Sequence, residues 1–285
     1  MSERGDVPWS GSVDGPARPE VFVHLLPSLI APGSLAGSTV LVLDVLRATT
    51  VMVQALAAGC EAIIPCATVD EAGRLASSLP LGTALLAGER QGLPIPGFDL
   101  GNSPGDFTSP VCRGKTIVMT TTNGTRAILA SRDAASVGIA ALTNADAAVA
   151  WAAAQGRPTH VVAAGTDGQI SLEDSLLAGI IAHALMAGNG YRPGNDEAVI
   201  AAALASDATA ASTRRSWVEL LAVGRGGRRV REIGLEADIA FAARPSTVDL
   251  VPVLQIDADG PRIVRPRVGA AALASARPER RPALS

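Results

Sequence analysis

The sequence predicts an α/β fold: a mostly parallel sheet, or sheets, covered by helices. Short, unbroken apolar runs such as Val40–Leu43 and Thr116–Thr120 alternate with longer segments of helical pattern. Continuous apolar strands are typical of parallel sheets buried on both faces. Hydrophobic residues make up 48% of the chain but aromatic residues only 3%, so small aliphatic side chains must pack closely between helices and sheet.

The first half of the chain gives four strands and three helices. Apolar runs predict strands at 40–43, 62–65, 84–87 and 116–120. Helical patterns predict helices at 50–58, 69–79 and 124–131, the first closed by Gly59. Between them, residues 90–110 hold much proline and glycine and read as a long loop, which is often functional in a compact domain.

The second half continues the alternation. Strands are predicted at 136–140 and 161–164, with closing strands at 239–243 and 251–256. Helices are predicted at 146–155, 171–186, 197–206 and 213–223, and the longest of them is closed by Gly188. We expect a flexible N-terminal arm at 1–19, an α/β region of one or two subdomains at 20–269, and a flexible tail at 270–285.

Composition narrows the class of protein. The net charge of −3 gives no basic surface for nucleic acid. The polar start lacks a targeting pattern, and the apolar run at 21–31 is interrupted by His24 and Pro27, so we expect a cytoplasmic protein without a membrane partner. The three cysteines have no metal-site spacing and are expected to be small buried thiols in a reducing compartment.

Two strand ends combine polar side chains with a helix start. Asp44 ends one strand, and Arg47, Thr49 and Thr50 follow as the next helix opens. The carboxylate can hold a hard cation, the helix start can hold an anion, and the arginine can bind phosphate or sulfonate with two hydrogen bonds. The alternative is a helix cap beside a surface arginine.

The second such junction is Thr121, Thr122, Asn123, Gly124 and Thr125, after the strand at 116–120. Hydroxyls, an amide and a glycine at a helix start form an anion-binding nest, although plain capping uses the same residues. Because ligands of parallel sheets bind beyond the carboxyl ends of strands, we expect both junctions to face one site.

Further carboxylates follow other strands. Glu89 ends the strand at 84–87, and the loop behind it carries Asp99, Gly101, Asn102 and Ser103. Ordinary turn chemistry is the alternative for this loop.

A second acidic pair opens the long helix at 171–186. Asp174 stands in the capping-box position relative to Ser171, so Glu173 is the better candidate ligand. Asp238 is a further candidate acid or a turn residue. The four arginines within 225–231 read as a solvated face that could also attract an acidic substrate, and the histidines at 24, 160 and 183 as structural.

Taken together, these segments resemble the 2-phosphosulfolactate phosphatase family, often called ComB. The matching strings are DVLRATT (44–50), GE (88–89), GFDLGNSP (97–104), TTNGT (121–125), AAG (163–165), SLEDSLLAG (171–179) and EADIAFAA (236–243). They keep their order over most of the chain, and GFDLGNSP and TTNGT are rather specific.

The resemblance implies a Mg²⁺-dependent phosphoric monoester hydrolase that releases phosphate from 2-phosphosulfolactate, a step of coenzyme M biosynthesis. It also implies a ComB-like α/β fold, and a homodimer is expected. Carried onto this chain, the functional positions are Asp44, Arg47, Thr49, Thr50, Glu89, Asp99, Asn102, Thr122, Asn123, Thr125, Glu173 and Asp174.

The roles of these residues follow from their chemistry. We expect Asp44, Glu89, Glu173 and Asp174 to hold Mg²⁺, and Asp44, Arg47, Glu89 and Glu173 to act in catalysis. The threonines, Asn123, Gly124 and the 97–104 loop are expected to bind substrate.

The same residues allow three alternatives to this mechanism. A phosphoaspartyl route through Asp44 is disfavoured because Leu46 stands where a second aspartate is expected. A non-catalytic protein that binds a phosphorylated or sulfonated acid is the rival class. A nucleotide-dependent oxidoreductase fits poorly, because no G-x-G-x-x-G follows the first strand.

Overall fold

The computed structural model describes residues 18–210 and 215–266. Most of the predicted N-terminal arm and the whole predicted tail at 270–285 lie outside the described residues. Within the described ranges, no helix is long and apolar enough to cross a membrane.

The chain forms an α/β structure, as predicted. The strands are β1 (Glu20–His24), β2 (Thr39–Leu43), β3 (Ala62–Pro65), β4 (Ala84–Arg90), β5 (Leu93–Pro94), β6 (Thr116–Thr120), β7 (Ser136–Ala140), β8 (Thr159–Ala163), β9 (Arg192–Pro193), β10 (Val253–Asp257) and β11 (Gly260–Val264). The helices are α1 (Ala48–Ala57), α2 (Val69–Ser78), α3 (Ser109–Cys112), α4 (Gly124–Ala130), α5 (Ala145–Gln155), α6 (Leu172–Gly188), α7 (Asp196–Thr209), α8 (Trp217–Ala222), α9 (Arg225–Glu232) and α10 (Glu236–Ala242).

All described strands belong to one sheet, in the order β5-β4-β6-β3-β11-β10-β7-β2-β8-β1-β9. β4, β6 and β3 pair in parallel and are called the β6 group; β7, β2, β8, β1 and β9 also pair in parallel and are called the β2 group. The antiparallel hairpin β10–β11 joins the groups, with Val253 opposite Gly138 of β7 and Ile263 opposite Ile63 of β3.

Helices α1 and α4 pack between the two groups. One core cluster unites Val42 of β2, Met119 of β6, Met52 of α1 and Ile128 of α4. The other face of the β2 group, which includes Leu41, packs on α5 and α6, and α2 covers the other face of the β6 group. The helices that follow β2 and β6 therefore begin close to one another.

The C-terminal part departs from the predicted elements. The predicted strand at 239–243 is wrong, because these residues continue helix α10. Its alternation of Ile239 and Phe241 resembles a strand, but Ile239 and Ala242 are the buried side chains and lie at helical spacing. Strand β1 and helix α9 were not predicted at all.

The cysteines are free and buried, as expected. Burial raises the pKa of the Cys60 and Cys66 thiols to about 12, so these thiols are not reactive. His24 and His160 form a buried pair joined by an Nε2···Nδ1 contact of 2.8 Å, while His183 is exposed.

Candidate active site

A cavity of about 580 Å³ lies where the carboxyl ends of β2, β4 and β6 face helix α9. Its walls are largely polar. Six of the residues predicted from the sequence line it: Asp44, Arg47, Glu89, Asn102, Thr122 and Asn123. Residues of both parallel groups therefore share one site, although they come from different parts of the sheet.

The starts of α1 and α4 meet at Asp44. A Cβ atom on Gly124 would lie 2.5 Å from Ala48 Cβ and 2.8 Å from Asp44 Oδ2, so only glycine allows this approach. The Ala48 amide donates to Asp44 Oδ1 over 3.2 Å. Asp44 Oδ2 accepts no hydrogen bond from the described residues and remains available to a ligand.

Four of the predicted threonines lie beside the cavity rather than in its wall. Thr49 Oγ1 bonds to the backbone of Asp44, and Thr50 Oγ1 donates to the Val45 carbonyl over 2.7 Å. Thr121 and Thr125 exchange hydrogen bonds within the start of α4. These side chains shape the two helix starts, which is the capping role that the sequence left open.

Glu89 connects two loops at the cavity wall. Its Oε1 accepts the Thr122 amide and its Oε2 accepts the Gly92 amide, each over 2.7 Å. Gly88 allows this strand end to lie against β6, since a Cβ there would be 2.1 Å from the Thr120 carbonyl oxygen. Glu89 thus fixes the turn between β4 and β5 beside the start of α4.

The 97–104 loop supplies one cavity residue and one supporting residue. Asn102 is buried, lines the cavity, and its Oδ1 has no partner; the buried Thr122 hydroxyl opposite this loop is also unpaired. Ser103 Oγ donates to Asp238 Oδ2 over 2.9 Å. Asp99 is exposed and accepts the Leu86 amide instead.

Gly101 also stands outside the wall: a Cβ on it would lie 3.1 Å from Pro94 Cγ, in the hairpin that closes this side. The Asp99 carboxylate receives its hydrogen bond from the backbone of β4 over 2.8 Å. Neither residue lines the cavity. Both hold the loop that presents Asn102.

Arg47 is buried in an ion pair. Its Nη1 lies 2.7 Å from Asp238 Oδ2, and its Nη2 donates to the Gly92 carbonyl over 2.5 Å. Asp238 is therefore a partner of the arginine and ties α10 to the start of α1. The guanidinium still reaches the cavity wall, where its positive charge can face an anion.

Glu173 and Asp174 lie behind the wall. Asp174 accepts the Val45 amide over 2.8 Å and the Gly165 amide over 3.0 Å, which joins the ends of β2 and β8. Glu173 accepts the Gly226 amide over 2.8 Å, and its Oε2 is buried without a partner. Neither carboxylate lines the cavity.

Burial governs the charge of this acidic group. Burial, reinforced by Asp174 and then by Glu89 and Glu173, raises the pKa of the Asp44 carboxyl well above its usual range. Burial and the charge of Asp174 raise the pKa of Glu173 to about 7. Burial also raises the pKa of Asp174 to about 6, against the amides that bond to it. Such a cluster favours either bound protons or a nearby cation.

The residues of the site fit a magnesium ion bound by one or two carboxylates better than an ion bound by all four predicted carboxylates. Within residues 18–210 and 215–266, no group of three or more His, Cys, Asp or Glu side chains is placed to hold a metal ion. Mg²⁺, however, usually takes only one or two carboxylates and completes its shell with water and substrate phosphate. Asp44 with its free Oδ2 and the nearby Glu89 meet that requirement.

Helix α9 supplies cavity residues that the sequence left open between a solvated face and a surface that attracts an acidic substrate. Arg225, Arg228 and Arg229 line the wall opposite the strand ends, and the Gln91–Gly92 turn and Asp167 complete the rim. The sequence did carry a signal, since four arginines interleaved with Gly226 and Gly227 are unusual for a solvated loop. Nothing in the pattern located them over Asp44.

Comparison with known proteins gives a consistent result. A family model described as 2-phosphosulpholactate phosphatase matches residues 24–257. A probable 2-phosphosulfolactate phosphatase of Cyanothece sp. is 35% identical over 241 residues, covering 83% of this chain and 96% of the relative.

Two further relatives carry the same printed name. The Deinococcus radiodurans protein is 39% identical over 79% of this chain and 91% of its own length. The Synechococcus sp. (strain RCC307) protein is 41% identical over 74% of this chain and 86% of its own.

Proposed function

Because the chain belongs to the 2-phosphosulfolactate phosphatase family, we propose that it is a Mg²⁺-dependent phosphatase that hydrolyses 2-phosphosulfolactate, or a closely related phosphorylated hydroxy acid, to the free hydroxy acid and phosphate. The observation that carries the proposal is the cavity in which Asp44, with a free carboxylate oxygen, stands between two helix starts and faces a wall of arginines. This arrangement suits a small polyanion.

Each side of the cavity contributes a different part of the chemistry. The start of α4, with the unpaired Thr122 hydroxyl and the Asn123 side chain, offers hydrogen bonds to phosphate oxygens. The Arg47 guanidinium, held in place by Asp238, offers positive charge as negative charge builds up on the phosphoryl group. Asp44 is the candidate to orient the attacking water.

Magnesium would be held by Asp44 and Glu89. When bound, the ion would neutralise phosphate oxygens that these carboxylates otherwise repel. Glu173 and Asp174, the other two acids of the predicted set, would act from behind the wall by holding α9 and the strand ends. Burial raises the pKa of the Asp44 carboxyl, so its charged form is costly unless a cation lies beside it.

The test is phosphate release from racemic 2-phosphosulfolactate, with Mg²⁺ and with EDTA, beside other phosphorylated hydroxy acids. The expected result is Mg²⁺-dependent turnover that is fastest on 2-phosphosulfolactate. Faster turnover of another phosphorylated hydroxy acid would support the phosphatase activity and contradict 2-phosphosulfolactate as the substrate. Absence of phosphate release by the folded, metal-loaded protein would favour the rival, a protein that only binds such an acid.

The finer expectations belong to the same proposal. A place in coenzyme M biosynthesis follows only if 2-phosphosulfolactate is the preferred substrate. A homodimer and a cytoplasmic location also stay predictions, to be checked by light scattering and by cell fractionation.

A further inference from the structure

We propose that Arg225 and Arg228 of helix α9 bind the sulfonate of the substrate, which also carries a phosphate and a carboxylate, and so select sulfonated substrates over phosphate monoesters without this group. This inference rests on the proposed function, because it assigns the recognition of one part of the substrate within the same cavity. It gives α9 a role in specificity that is separate from the phosphate-binding helix starts.

The arginines of α9 differ in how many hydrogen bonds and ion pairs they already make within the protein. Arg229 donates to the Gln91 carbonyl over 2.7 Å and lies 3.6 Å from Glu232, so it holds the β4–β5 turn. Arg228 donates to the Val223 carbonyl with one nitrogen. Arg225 has no hydrogen bond or ion pair with the described residues. Arg225 and Arg228 therefore have donors to spare.

Helical spacing directs these side chains into the cavity. Positions 225, 228, 229 and 232 share one face of a helix, and all four line the cavity. Arg231 is on the same helix, is equally exposed, and does not line the cavity. It therefore provides a control of the same charge and the same helix.

The buried Glu173 carboxylate seats α9 over the cavity. Cβ atoms on Gly224 and Gly226 would lie 2.0 Å and 2.1 Å from its two oxygens, so glycine is needed at both positions for this contact. The Gly226 amide donates to Glu173 Oε1, while Oε2 remains buried and unpaired. Glu173 is thus a positioning residue for the arginines.

The charge of the cavity wall supports the assignment. On α9 three lining arginines, Arg225, Arg228 and Arg229, face the cavity with one acid, Glu232, which lies 3.6 Å from Arg229. The other lining acids are Asp44 and Glu89 at the strand ends and Asp167 on the rim. With the phosphate at the strand ends, the carboxylate and the sulfonate are left to face the rest of the wall, where α9 supplies the arginines. Arginine binds sulfonate and carboxylate oxygens in a two-pronged geometry that lysine cannot provide.

The experiment compares 2-phosphosulfolactate with phospholactate, which lacks the sulfonate, on Arg225→Gln, Arg228→Gln and the control Arg231→Gln. We expect KM for phosphosulfolactate to rise about tenfold for each cavity variant, with a small change in kcat, because a charge-assisted hydrogen bond is lost. The loss on phospholactate should be several-fold smaller. Arg231→Gln should behave as the unchanged protein.

A binding arm separates this inference from the proposed function. Calorimetric titration with sulfolactate needs no turnover, so it tests the role of the arginines even if no phosphate is released. Weaker sulfolactate binding by the cavity variants, with normal binding by Arg231→Gln, supports the inference. Equal losses on both substrates, equal effects of Arg231→Gln, or no binding of sulfolactate to the unchanged protein would overturn it.

Discussion

Replacing Gly226 with alanine should undock helix α9. The new Cβ would lie 2.1 Å from Glu173 Oε1, a distance that real Cβ atoms essentially never show. Because Glu173 is buried and held between α6 and α9, either the carboxylate or the helix must shift by roughly 1 Å or more. The hydrogen bond from the Gly226 amide to Glu173 cannot survive that shift.

The free-energy change expected for Gly226→Ala combines two destabilising contributions and one stabilising contribution. Losing a hydrogen bond to a buried carboxylate costs about 1.5–3 kcal/mol, and overpacking adds about 1–3 kcal/mol. Alanine recovers at most about 1 kcal/mol of helix propensity. The net loss of about 1.5–5 kcal/mol should act on the docking of α9, and through it on Arg225 and Arg228.

Hydrogen exchange and kinetics together test this reasoning. We expect faster exchange of the α9 amides and a KM for 2-phosphosulfolactate at least tenfold higher, with a smaller change in kcat. The matched control is Gly73→Ala in α2, where an added Cβ meets no atom within 4 Å, so it should stabilise slightly. Unchanged exchange and unchanged KM in Gly226→Ala would refute the docking role of Glu173.

Three further substitutions separate the roles of the carboxylates. Asp44→Asn should lower kcat at least about a hundredfold without lowering the melting temperature, because burial already raises the pKa of this carboxyl and an uncharged amide suits the same position; substantial residual turnover would argue against its role. Asp238→Ala should cost about 3–5 kcal/mol in urea unfolding by leaving Arg47 buried and unpaired, whereas Glu236→Ala, exposed on the same helix, should cost little. Glu173→Gln should keep most activity and reduce the pH dependence of the free energy of unfolding measured in EDTA; the share that remains comes from Asp44 and Asp174. The pKa of Glu173 is raised from 4.5 to about 7 on folding, so the carboxyl contributes stability below pH 4.5 that is lost as the pH rises to 7, as much as about 3 kcal/mol; a Gln variant with the same pH profile would contradict this.

The parallel strands were predictable because short apolar runs of this kind are typical of strands that are buried on both faces. The central strands are buried on both faces and so contain apolar runs, Val40–Leu43 in β2 and Val161–Ala163 in β8. Strand β1 was not predicted, because the apolar run that contains it extends past His24 into a turn at Pro27. Its pairing with β8 over residues 21–24 is a long-range contact that no local pattern reveals.

The joining of the two parallel groups also lay beyond the sequence. Strand β10 was expected, but β11 and its place between the groups depend on pairings of Val253 and Ile263 with strands far away in the chain. The expectation that both polar junctions face one site nevertheless holds, since Gly124 lies against Asp44. It holds because α1 and α4 share the core between the groups.

The site shows why residue type alone could not assign roles. Buried carboxylates look alike in a sequence, yet Asp44 faces the cavity while Asp174 has both oxygens bound to amides. The difference lies in which backbone donors surround each one, and that is decided by strand ends distant in sequence. Helix α9 was missed for a related reason. Two glycines among arginines have poor helix propensity, and the helix forms here because those glycines fit against Glu173 and the end of α8. The features that weaken α9 as an isolated helix are therefore the ones that bring its arginines to the cavity.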